Sequence, residues 1–134
     1  MLGLDADSDP GDPERALIFV GQSGLGLPDE SYYREEKFAE IRSEYRAFVE
    51  RLLTLAGLDE PAARADRIVA LEHEIAAQHW DNVASRDAQK TYNLRTWDEL
   101  VELAPGFPLA AWREAVGLTP AHTAELVLSQ PSFF

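Results

Sequence analysis

Cysteine is absent from this sequence. No disulfide framework, thiolate metal site or thiol nucleophile can form within it, and a reducing compartment is compatible with it. Basic side chains are scarce: 12 Lys and Arg stand against 24 Asp and Glu, for a formal charge of -12. That sign repels phosphate backbones and argues against nucleic acid as a partner. Long apolar runs are missing as well. No stretch approaches the roughly 18 residues a spanning helix needs, so no membrane association is expected. The first 13 residues are acidic, unlike the basic start of a secretory signal. With the missing cysteines this favours a cytoplasmic location.

What is present is ordinary for a folded chain. Of 134 residues, 46% are hydrophobic and 27% charged, which is close to globular usage. Such a length can bury roughly two thirds of the surface its unfolded form exposes. The Asp, Pro, Gly and Ser of residues 4–14 predict an exposed loop. Ala16 to Val20, an apolar run of β-formers between Pro13 and Gly21, predicts a buried strand, with a loop from Gly21 to Pro28.

Between Tyr33 and Ala56, Phe38, Ile41, Tyr45, Phe48, Val49, Leu52 and Leu53 keep the three-and-four spacing of one helical face, and Gly57 is a stop. Asp59 can cap a second helix opened by Pro61, with Ile68, Leu71 and Ile75 on its core face, running to about Asp81. Together these predict a helical hairpin. Thr96 and Glu99 have capping-box spacing. Pro108, Leu109, Trp112 and Gly117 outline another short helix, and Glu125 to Ser129 a second strand able to pair with Ala16 to Val20. The fold class expected is mainly α, a helical hairpin plus shorter helices, with a short strand pair near the two chain ends. The two closing aromatics, Phe133 and Phe134, suggest a piece of a longer chain.

Four patterns imitate functional sites. Asp5-Ala6-Asp7-Ser8-Asp9 opens like a calcium loop, but the sixth position is Pro10 instead of Gly and the twelfth is Ala16 instead of a bidentate Glu. Gly21, Gly24 and Gly26 follow a strand, yet their GxxGxG spacing is not the dinucleotide fingerprint, no Lys-Ser or Lys-Thr follows, and Asp29 and Glu30 place negative charge where a phosphate would sit. His73-Glu74-Ile75-Ala76-Ala77-Gln78-His79 evokes HExxH, but the position four after His73 is Ala77. Six residues apart, His73 and His79 differ by about 240° around a helix and cannot chelate one ion. Trp80, Trp97 and Trp112 with Tyr32, Tyr33 and Tyr92 could line a groove, although aromatics on helix faces belong more often to a core. No Ser, His and Asp arrangement stands out. From the residues alone, no catalytic, cofactor-binding or metal-binding residue is expected.

Several blocks in order carry a resemblance. Gln22-Ser23-Gly24-Leu25-Gly26-Leu27-Pro28-Asp29 with Tyr32-Tyr33 resembles the QxGLGLPxxxYY signature of the neprilysin-like (M13) zinc metallopeptidases. Leu71-Glu72-His73-Glu74-Ile75-Ala76 is similar to that family's LExxIA helix. Arg86-Asp87, Tyr92-Asn93, Thr96 to Leu100, Pro105 to Trp112 and Val127 to Phe134 extend the match over nearly the whole chain.

The resemblance implies that residues 1–134 are a single fragment of the family's N-terminal lid domain, with the catalytic zinc domain absent. The family's HExxH and downstream ExxxD, which bind zinc and activate water, have no counterpart in this sequence, so zinc would belong to the parent enzyme and no catalytic residue carries over. The partner implied is the C-terminal catalytic domain of the same parent chain, with peptide substrate reached through that parent. The function implied is a non-catalytic lid segment of a metalloendopeptidase that hydrolyses oligopeptides. A stand-alone acidic helical module that binds another protein is the alternative.

Overall fold

A computed structural model describes residues 2–134. The chain runs through β1 (Leu2–Asp9), β2 (Asp12–Gln22), α1 (Ser31–Arg34), α2 (Ala39–Leu55), α3 (Pro61–Gln78), α4 (Ala88–Thr91), β3 (Leu94–Thr96), α5 (Trp97–Leu103), α6 (Leu109–Ala115) and β4 (Glu125–Leu128). Short 3₁₀ turns lie at Glu36–Phe38, Ala84–Arg86 and Pro131–Phe133. The chain divides into two compact units. A sheet unit combines Met1–Ser23 with Val83–Phe134, and a helical unit spans Gly24–Asn82. No helix among the described residues is long and apolar enough to cross a membrane.

The sheet unit overturns the expectation of a mainly α chain with one short strand pair. It holds a four-stranded mixed sheet in the order β1-β2-β4-β3. β2 and β4 pair in parallel, Ile18 opposite Leu126 and Val20 opposite Leu128, which joins the two segments that looked like strands. The unexpected strands are β1 and β3. Residues 4–14, expected to form a loop, instead make most of an antiparallel hairpin in which Leu4 faces Val20 and Asp7 faces Leu17, with Pro10-Gly11 as the turn.

Low β-propensity hid β1, because Asp is depleted in strands as a class, whereas pairing context decides the outcome. Here Asp5 and Asp7 each accept the N–H of the following residue, Ala6 at 2.8 Å and Ser8 at 2.7 Å. Acidic side chains also blunt an edge strand against further pairing. β3 is only three residues long and pairs antiparallel with β4, Leu94 opposite Val127. A run that short carries no readable alternation.

One face of this sheet packs on α5 and α6. Val20, Leu126 and Leu128 join Leu100, Ala104 and Leu109 in the apolar core, with Ile18, Trp97, Phe107 and Trp112 packed around them. Each fully buried leucine in such a cluster contributes about 2 kcal/mol of hydrophobic stabilisation. α5 opens with the expected capping box: the Thr96 hydroxyl accepts the Glu99 N–H at 3.3 Å, and the Glu99 carboxylate accepts the Thr96 N–H at 2.7 Å.

The helical unit contains the expected hairpin of α2 and α3. Gly57 takes φ +70, and Leu58 N–H bonds the Leu53 carbonyl at 3.1 Å, a turn that a left-handed residue makes possible. The first helix is not continuous from Tyr33. Glu35 is extended, with ψ 135, and separates α1 from α2. Arg42 spans that break and donates to the carbonyls of Tyr32 and Glu35, both at 2.8 Å, so carbonyls at the end of α1 are satisfied. The second helix begins after a left-handed Glu60, φ 53, rather than a side-chain cap from Asp59.

Candidate functional site

In the helical unit the polar interior centres on Glu72. It lies on α3 in step with Ile68 and Ile75, an apolar register that a carboxylate occupies only if its oxygens are bonded. Tyr33 donates its hydroxyl to Glu72 Oε2 at 2.6 Å, and Tyr45 donates to Oε1 at 2.9 Å. The Leu27 N–H in turn donates to the Tyr33 oxygen at 3.1 Å. Tyr33 is buried, with 2% exposure.

These bonds strap the Gly24–Pro28 loop onto the hairpin and give Tyr33 and Glu72 a structural task. Burial and, after it, the bond to Glu72 raise both phenols, that of Tyr45 to about 12. Both Glu72 oxygens accept phenol protons, so this carboxylate acts as a structural acceptor.

Two further ties close the base of the same unit. Arg34 donates Nη2 to the carbonyls of Ala76 and His79, the latter at 2.8 Å, which satisfies the end of α3. Asp29 accepts from the Ser31 N–H at 2.9 Å, the Ser31 hydroxyl at 2.5 Å and Asn82 Nδ2 at 2.7 Å. The Ser31 hydroxyl is the largest influence holding the Asp29 carboxyl below its ordinary range. The glycine loop itself meets tyrosines: the Leu27 N–H donates to Tyr33, and Gly26 lies against the Tyr45 ring.

In the sheet unit Asp9 is buried, 3% exposed, and accepts from Tyr92 hydroxyl at 2.6 Å, Gly11 N–H at 2.8 Å and Arg15 Nε at 2.9 Å. Tyr92 and then Gly11 do most to hold its pKa low. Arg15 also reaches Glu125 at 2.8 Å and so ties β2 to the start of β4. Asn93 exchanges bonds with Leu128, accepting the Leu128 N–H on its carbonyl at 2.9 Å and donating Nδ2 to the Leu128 carbonyl at 3.0 Å. The Tyr92-Asn93 pair therefore locks the sheet at two points.

The four patterns of the sequence resolve as follows. Asp5 and Asp7 lie along β1 while Asp9 turns inward to Arg15. His73 is exposed on α3, whereas His79 is buried just beyond the end of that helix. Among the described residues no three His, Cys, Asp or Glu side chains converge as metal ligands, so they do not fit a zinc ion. The aromatics are divided between the two units. Tyr32 stacks on Phe38 with centroids 4.1 Å apart, Trp97 and Trp112 join the apolar core, and Arg113 lies 4.3 Å over the Trp97 ring. Sequence reasoning missed Glu72 and Tyr45 as a pair. The signal available was a carboxylate in an apolar register.

The geometry thus assigns Gly26, Tyr33 and Glu72, which carry the resemblance, to folding ties, and comparison with known proteins gives the family. The N-terminal profile of Peptidase family M13 matches residues 1–134. Endothelin-converting enzyme-like 1 of Mus musculus is 31% identical over 110 residues, 78% of this chain and 14% of that protein, and its Homo sapiens counterpart is 31% identical over 111 residues. Among solved structures, the zinc metalloprotease Zmp1 of Mycobacterium tuberculosis in complex with an inhibitor gives a TM-score of 0.92 at 43% identity, over 98% of this chain and 20% of that one. Zmp1 in its open state gives 0.91 at 43% identity, over 98% and 21%. The chain spans well under a quarter of the length of each relative. It belongs to peptidase family M13 and corresponds to the N-terminal region of that family's zinc metalloproteases.

Proposed function

We propose that this chain is the non-catalytic N-terminal portion of a zinc metalloendopeptidase and forms part of a lid that restricts the catalytic cavity to oligopeptides. The match of the whole chain to the family's N-terminal profile carries the reading. The sequence contains no HExxH, and the described side chains do not fit zinc, so binding the metal and activating water would fall to the C-terminal catalytic domain of the same parent chain.

The ties at Glu72, Arg34 and Asp29 support a body that holds its own shape, as an access-limiting element must. Zmp1 has been described in an open state, and alternation of that kind in the parent of this chain is what a lid would produce. The helical hairpin of α2 and α3 would be the part that limits substrate size.

Peptides of increasing length test the proposal. The parent enzyme should cleave short ones and slow sharply as length grows. Replacing residues 24–82 with a short flexible linker should extend cleavage to longer chains, with turnover of the shortest peptide reporting that the catalytic half still folds. A parent without the segment that kept the same length limit would refute the lid.

A further inference from the structure

We infer that α2 carries a helix-packing seam, an exposed apolar strip that an amphipathic helix from the remainder of the parent chain covers; this rests on the reading above of a longer parent. Ile41, Tyr45, Phe48, Leu52 and Leu55 follow one another at spacings of four, three, four and three, which keeps them within a strip about 80° wide around the helix. A seam that narrow is what a second helix takes at a shallow crossing angle. The hairpin does not use it. Val49, the buried residue of α2, lies roughly 80° to one side. Exposure along the seam rises from 39% at Ile41 through Phe48 and Leu52 to 85% at Leu55, while Tyr45 turns back to Glu72. A lone exposed leucine needs no explanation, but apolar side chains in a row at this spacing mark a contact surface.

The flank of the seam says what covers it. Glu44 and Arg51 border it on the side away from Val49, are exposed and make no ion pair among the described residues, whereas Arg46 is tied to Glu50 and Asp66. They stand roughly 10 Å apart along the axis, at the flanking positions through which paired helices select partner and direction. The covering helix therefore presents a basic side chain to Glu44 and an acidic one to Arg51. A second copy of this chain suits the strip less well. The strip is roughly 21 Å by 10 Å, on the order of 200 Å², whereas each partner of a stable complex contributes roughly 800 Å². A helix tethered in the same chain needs less area, because linkage raises its effective concentration to roughly millimolar. This chain covers 20% of Zmp1, so an enzyme of that length has ample further chain to supply the helix.

The test uses the full-length parent with Leu55→Cys on the seam or Ser43→Cys off it on the same helix. Residues 1–134 hold no cysteine, so the peptide bearing either position reports one introduced thiol. Alkylation by a maleimide, read by mass and scaled to the rate in denaturant, should be about a hundredfold slower at Leu55→Cys than at Ser43→Cys, the scale of a packed helix that opens locally. The difference should persist on dilution. Adding Arg51→Glu should raise the Leu55→Cys rate about threefold, the scale of one exposed ion pair. Equal rates at the two positions overturn the seam, whether both thiols react freely or both are shielded. Protection that fades on dilution overturns the assignment to the parent chain and gives the seam to a second copy. An unchanged rate with Arg51→Glu overturns the charge pairing. Cleavage of a short peptide in the same samples reports that each variant folds. If the unaltered parent cleaves nothing while the protection holds, the peptidase reading falls and the seam stands.

Discussion

The Tyr45 ring occupies the space in which a side chain on Gly26 would begin: a Cβ there would stand 2.6 Å from Tyr45 Cζ. Gly26 is thus fixed by a tyrosine on α2, which is itself bonded to Glu72 on α3. Gly26→Ala must displace either the loop or the ring, and overpacking of this kind costs about 1–3 kcal/mol. Denaturant unfolding should show that loss. In a Tyr45→Ala background the same change should cost much less, because the two residues share one space. Full additivity would contradict the contact.

Alkali should dissolve the Glu72 tie. Both phenols are raised in the folded state, Tyr45 to about 12, by burial first and the bond to Glu72 second. Their contribution is complete below the unfolded tyrosine value of about 10; that of Tyr45 is lost as pH rises through about 12, and that of Tyr33, raised further, at higher pH still. Helix content followed by circular dichroism should collapse there, with tyrosine ionisation in the ultraviolet coinciding. In Glu72→Gln the raising influence of the carboxylate is gone, and the collapse should move to lower pH. Collapse at an unchanged pH would argue against the tie.

Acid should act through Asp9. Tyr92, the Gly11 N–H and Arg15 hold its carboxyl below the ordinary value of 3.8. A depressed carboxyl contributes stability above its unfolded pKa and loses it as pH falls through the folded one. Stability measured against pH should therefore decline below about pH 4, and Asp9→Asn should flatten part of that decline. An identical acid limb in the variant would remove Asp9 from the account.

Removing the Thr96 hydroxyl tests the start of α5. Thr96→Ala should cost about 1 kcal/mol by deleting the cap on the Glu99 N–H. Thr96→Ser should restore most of it. Equal losses in both would mean that the methyl group matters and the cap does not.

The sequence conveyed some of this architecture and concealed the rest for identifiable reasons. The capping box, the Gly57 stop and the pairing of Ala16–Val20 with the Glu125 run were legible because each depends on local chemistry or on an apolar run long enough to read. β1 was hidden because three aspartates in eight residues read as loop, whereas pairing with β2 and the Asp-to-N–H bonds make that composition serviceable at a sheet edge. β3 was too short to show a period. The break at Glu35 was masked by apolar spacing that continues across it, since Arg42 supplies what the helix lacks there. Among the polar ties, Glu72 could have been read from its register on α3. The partnership of Asp9 with Tyr92, 83 positions away in sequence, leaves no local trace.

The most direct measurement is peptidase activity on a quenched oligopeptide with zinc present, comparing residues 1–134 alone with the longer parent chain. The account predicts that only the parent cleaves and that a chelator stops it. Cleavage by residues 1–134 alone, or none by the parent, would contradict the reading of this chain as the non-catalytic part of a zinc endopeptidase.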